Sequence, residues 1–260
     1  MKIHYFGLVL ILLTGQASAA AMELRLAQTM RDLGSEVVEI SVTEPHCGKS
    51  DCKTTYIGIP FRRVIEFYYP DAWKGFKGEV QLFARDGYLE VVDADKIRKQ
   101  DGYLAFARAD GEPFVVDNKQ QNERDVPLGP FYLVWDNVKH AELQKEGAYG
   151  WPYQVKQIQL MDVSVYQSLV SPDATTAVRD RFKAYKTYCL SCHNIKGVGG
   201  RKVTADMRDL VRGKSRGYLR ALISDPESVR PETKMPPLNT NLSKAERMRI
   251  VDKIIDFIME

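Results

Sequence analysis

Two thiols and an imidazole fall within five residues at Cys189-Leu190-Ser191-Cys192-His193, so the fold must bring all three groups to one place. Upstream, Asp173 to Tyr188 is predicted as a helix, because Val178, Phe182, Tyr185 and Cys189 recur at i, i+4, i+7 and i+11. That stripe delivers the thiols on the helix's apolar face. Downstream, Gly197, Gly199 and Gly200 permit a tight backbone path. The chain then reaches Met235-Pro236-Pro237-Leu238, just ahead of a last helix. There Ser243 and Glu246 form a capping-box pair, and Met248, Val251, Ile255 and Ile258 follow at helical spacing.

A C-x-x-C pair can be a redox dithiol, half of a zinc site or, with a histidine directly after it, a c-type haem attachment site. A redox motif calls for a βαβ context and a zinc site for a second ligand pair. No further Cys or His follows Asn194. The pentapeptide is therefore read as haem attachment, with Cys189 and Cys192 each adding to one vinyl group and His193 lying against the iron. Met235 is the expected sixth ligand, since a thioether suits ferrous iron and Pro236 and Pro237 stiffen its loop. The competing reading of Met235 is a core gap-filler. Met207 and Met248 are rivals, but both fall inside expected helices. With both axial positions filled, the expected role is electron transfer rather than catalysis.

This order of helix, Cys189-to-His193 motif, proline-bearing methionine loop and C-terminal helix resembles a class I cytochrome c domain, over about Pro172 to Glu260. The resemblance implies an all-α domain with one covalent haem c on Cys189 and Cys192, His193 proximal and Met235 distal. One departure stands out. Many relatives have Gly-Pro-x-Leu where this chain has Gly200-Arg201-Lys202-Val203, so the carbonyl that often holds the proximal imidazole is missing.

Glu23 to Val170 reads as strand-rich. Glu36 to Val42 alternates, Glu79 to Ala84 and Tyr88 to Val92 flank an Asp86-Gly87 turn, and Tyr103 to Arg108 with Pro113 to Val116 suggest a second hairpin. Phe131 to Trp135 and Gln154 to Leu160 add strands, and short helices are expected at Arg62 to Tyr68, Ala94 to Lys99 and Val138 to Gln144. The phrases Tyr56-Ile57-Gly58-Ile59-Pro60, Asp86-Gly87-Tyr88, Leu104-Ala105-Phe106 and Gly129 to Val134 resemble the sulfite-oxidase-like molybdopterin-binding fold. An active member supplies a cysteine thiolate to molybdenum, and only Cys47 and Cys52 remain for that role. Five positions apart around Gly48, they are read as a disulfide; metal or thiolate ligation with His46 is the alternative. A cofactor-free docking module is thus expected, and a molybdenum cofactor is not. His140 reads as a solvated side chain, and Trp135, Trp151 and Tyr153 as packing.

The expected fold class is α+β with two domains: a mainly-β sulfite-oxidase-like domain over residues 20–170, a linker at 171–175 and an all-α cytochrome domain over 176–260. Residues 1–19 read as a signal peptide, with Lys2, an apolar run from Tyr5 to Leu13 and the Ala17-Ser18-Ala19 cleavage site. A periplasmic protein without a membrane span follows. Charge is uneven: Ala20 to Pro172 has 18 Lys and Arg against 23 Asp and Glu, a balance of −5, whereas Asp173 to Glu260 has 18 against 11, a balance of +7. A basic face of Arg201, Lys202, Arg208, Arg212, Lys214, Arg216 and Arg220 would steer docking to an acidic redox partner, or to the chain's own acidic half. No nucleic-acid partner is expected. The leading function is a periplasmic monohaem c-type cytochrome carrying single electrons between a dehydrogenase and an acceptor. The alternative is a fused, sulfite-dehydrogenase-like molybdenum oxidoreductase that needs Cys47 or Cys52 as a ligand.

Overall fold

Alternation at Glu39, Ile40, Ser41 and Val42 becomes a half-buried strand, with Ile40 and Val42 pointing inward and their neighbours exposed. The computed structural model describes residues 19–47 and 52–260; the expected signal segment lies outside these except for Ala19. In chain order the elements are β1 (Met22–Glu23), α1 (Leu26–Leu33), β2 (Val38–Thr43), β3 (Lys53–Pro60), α2 (Phe61–Tyr68), β4 (Glu79–Ala84), β5 (Leu89–Asp93), α3 (Ala94–Lys99), β6 (Gly102–Arg108), β7 (Val115–Asn118), β8 (Glu123–Pro127), β9 (Tyr132–Trp135) and β10 (Val155–Met161). There follow α4 (Thr176–Tyr188), β11 (Asn194–Ile195), β12 (Val198–Gly199), α5 (Met207–Val211), α6 (Arg216–Ser224), α7 (Pro226–Val229) and α8 (Lys244–Met259).

Two four-stranded antiparallel sheets, ordered β2-β3-β6-β9 and β1-β10-β4-β5, carry the N-terminal part. Their shared core includes Ile59, Phe61, Leu82, Leu104, Phe131, Leu133 and Ile158. Each such side chain, fully removed from water, contributes about 1.5–3 kcal/mol. A second apolar cluster, from Tyr166 to Ile258, is built by α4, α5, α6 and α8, with Val91 of β5 packed against it. It already draws in Val165, Tyr166 and Leu169, which precede the expected linker. The helices start at side-chain caps: Thr175 accepts from Val178 N–H, Ser215 from Tyr218 N–H, and Ser243 and Glu246 close the full capping box.

Three expectations need correction. The C-terminal part is not all-α, because β11 and β12 pair antiparallel just after the pentapeptide and Asn194 bridges to Asp206. Left-handed φ angles at Lys196 (50°) and Gly197 (77°) turn the chain back on itself there, and Ile195 is buried. With three α-helices among the N-terminal strands as well, the fold is mixed α/β with several sheets. Second, β6 does not form a hairpin with the strand after it. Its two edges are taken by β3 and β9, so β7 pairs with β8 instead. Third, the helix expected at Val138 to Gln144 is a 3₁₀ segment, Ala141–Glu146. Only Leu143 of it is buried, too little apolar surface to hold an α-helix.

Candidate functional site: the pentapeptide loop and its cover

The pentapeptide begins as helix α4 ends. Cys189 N–H donates to the Tyr185 carbonyl at 2.8 Å, and His193 N–H donates to the Cys189 carbonyl at 3.0 Å, so the five residues curl into one turn. Gly200 N–H closes the turn by donating to the Leu190 carbonyl at 2.7 Å. A Cβ on Gly200 would lie 1.9 Å from the Ser191 oxygen, so only glycine fits. Cys189 and Cys192 are free thiols. Burial pushes Cys189 up to about 12 and Cys192 up to about 11. The same cause lowers His193, whose buried Nδ1 has no hydrogen-bond partner.

The turn between β4 and β5 lies over this loop. Leu89 N–H donates to the Ser191 carbonyl at 2.9 Å, and Arg201 N–H to the Gly87 carbonyl at 2.8 Å. Gly87 has φ of 88°, and a Cβ there would meet the Arg201 carbonyl at 2.9 Å. Beside it Tyr88 donates to Glu90 at 2.8 Å. Glu90 sits opposite Leu82, and burial raises its pKa. Asp86 pairs with Lys202 at 2.9 Å.

The methionine loop is held from the same side. Asn122 Nδ2 donates to the Thr233 carbonyl at 3.2 Å, and Lys234 pairs with Glu123 at 2.8 Å. Asn239 Nδ2 donates to the Lys145 carbonyl at 2.9 Å, and Asn241 Nδ2 to that of Gln144 at 2.8 Å. Met235 lines a cavity of about 280 Å³ with Lys119, Asn122, Asp225 and Pro237, which Cys189, Cys192 and His193 do not touch.

The expected haem c is therefore corrected. Among the described residues no group of three or more His, Cys, Asp and Glu is placed to hold a metal ion. The pentapeptide is closed by its own glycines and by β5, and the cluster of Leu190, Ile195, Met207, Leu219 and Leu238 packs around it. The cavity that Met235 lines does not include His193. This arrangement does not fit a flat macrocycle held between them.

Cys47 and Cys52 form a disulfide, as expected from their spacing. Beside it lies a polar cluster that the sequence reading missed. The buried Glu44 carboxylate accepts from Tyr56 at 2.7 Å, Tyr132 at 2.9 Å and the His46 N–H at 3.0 Å. His46 Nε2 lies 3.3 Å from the Trp151 carbonyl, and its Nδ1 is unpartnered. Burial lowers the His46 pKa. His140 contacts Asp101 at 3.1 Å, so it is held rather than merely solvated. Trp135 donates to the Gly150 carbonyl at 2.7 Å under the Lys96 ammonium, a packing role. Of the seven residues expected to form a basic face, Arg208, Arg212, Arg216, Arg220 and Lys202 are each paired with an aspartate. Comparison with protein-family models gives no match, and no curated protein matches the chain.

Proposed function

We propose that this chain is an exported single-electron carrier, centred on the Cys189-to-His193 loop, whose acidic N-terminal part serves as the docking module for its basic C-terminal part. The observation that carries this reading is the closure of the N-terminal sheets over the one segment that places two thiols and an imidazole together. Charge supports it. Glu79, Asp86 and Glu123 come from the acidic part, and their partners Lys186, Lys202 and Lys234 from the basic part. The disulfide agrees with export, and no described helix is long and apolar enough to cross a membrane.

Dithiol exchange is the weaker reading. The thiolate is the attacking species, and thiols raised to about 12 and about 11 stay protonated at neutral pH. A molybdenum site using Cys47 or Cys52 loses its ligand to the disulfide. The test is voltammetry of the purified exported chain. A reversible one-electron wave is expected. The absence of a wave would overturn the proposal.

A further inference from the structure

The contacts between the N-terminal sheets and the C-terminal helices are unevenly built. At one end the chain itself crosses, between Met161 of β10 and Asp162. Next to that crossing the buried Glu79 carboxylate receives the Tyr166 hydroxyl at 2.7 Å and pairs with Lys186. A buried, doubly partnered carboxylate is costly to separate from its partners, so this end is pinned. At the far end the contacts are of a different kind. Asp86–Lys202 and Glu123–Lys234 are partly exposed ion pairs, Asn122 and Asn241 each donate one hydrogen bond to a loop carbonyl, and Asn239 reaches the Lys145 and Glu146 carbonyls beside the edge-on rings of Tyr149 and Tyr188. Val91 packs against the second core, but from β5, between the two ends. Partly exposed pairs are individually weak and screened by salt.

We propose that residues 19–47 and 52–161 form a latched cover over the pentapeptide and the Met235 loop, hinged at Met161–Asp162 and released when the Asp86–Lys202 and Glu123–Lys234 pairs separate. Opening admits a redox partner to a loop that is otherwise closed. That consequence rests on the function proposed above, whereas the latch does not, and its test reads the latch alone.

The experiment is hydrogen exchange by mass spectrometry on the purified full chain. The amides of Leu89 and Arg201 bridge cover and loop, so peptides containing them report opening directly. In the double variant Asp86→Asn, Glu123→Gln, exchange in peptides spanning 87–91, 198–203 and 232–241 should speed up by roughly an order of magnitude, with β3 and α8 unchanged. Raising ionic strength should produce the same local pattern in the natural chain. The charge-exchanged variant Asp86→Lys, Lys202→Asp should restore slow exchange around residues 87–91. Unchanged exchange in these peptides, or an equal rise throughout the chain, would overturn the latch. A latch that opens in a chain with no one-electron wave would refute the function and leave the cover standing.

Discussion

Glu90 is the side chain that strand alternation alone would place wrongly as a surface group. It occupies a position in β5 opposite Leu82, on a strand face that otherwise carries Val80, Leu82 and Val92 inward. Its hydrogen bond comes from Tyr88, while the nearby Lys96 ammonium is engaged by Glu146. Burial raises the Glu90 pKa above that of an unfolded glutamate, so the folded state favours the neutral acid. Its contribution to stability is therefore full below the unfolded pKa and is lost as pH rises through the folded one. Glu90→Gln should match the natural chain in stability near pH 4 and exceed it near pH 8. Chemical denaturation at both pH values checks this, and an equal difference at the two would show that Glu90 does not titrate differently on folding. The pentapeptide was legible because its groups are sequence neighbours. Glu44 and Glu90 were not, because their burial is imposed by strands far away in the chain.

At the scale of elements, local signals worked where a helix carries its own cap. Ser243 and Glu246 close the capping box, and Val251, Ile255 and Ile258 are buried as their spacing marked out, joined by Ile254, which the spacing did not pick. Ser243→Ala should cost about 1 kcal/mol, read as a shift in the denaturation midpoint with unchanged slope; no shift would mean that tertiary packing alone holds the start of α8. Pairing of strands was less legible. Tyr103 to Val116 has the hairpin pattern of two strands and a Gly turn, yet β6 is claimed on both sides by β3 and β9. A strand can satisfy only two edges, and the sequence near the turn does not say which neighbours reach them first. The β11–β12 hairpin was hidden for the opposite reason. Two residues per strand leave no periodicity to detect, and its trace lies in the positive φ angles of Lys196, Gly197 and Gly199.

At the scale of the whole molecule, two apolar clusters meet along a seam that is mostly polar. Among the described residues its ion pairs run the same way, with acids from the N-terminal part and lysines from the C-terminal part. Calorimetry should show one unfolding transition at low salt. At about 1 M salt, where the Debye length falls to about 3 Å, the transition should split as the clusters uncouple. A single transition under both conditions would show that apolar contacts such as that of Val91 do the coupling.

The features legible along the chain are local: the thiol–imidazole turn, the disulfide between cysteines five positions apart, the capping box of α8 and the acidic and basic halves. Each depends on groups a few residues apart, or on composition alone. The tertiary structure decided which acid meets which lysine, 107 positions apart for Glu79 and Lys186 and 111 for Glu123 and Lys234. It also decided that the pentapeptide lies closed beneath β5, and that Met235 shares a cavity with Lys119 and Asn122 from the turn between β7 and β8. Contacts across such separations form only when two cores have been assembled, and no spacing rule along the chain encodes them.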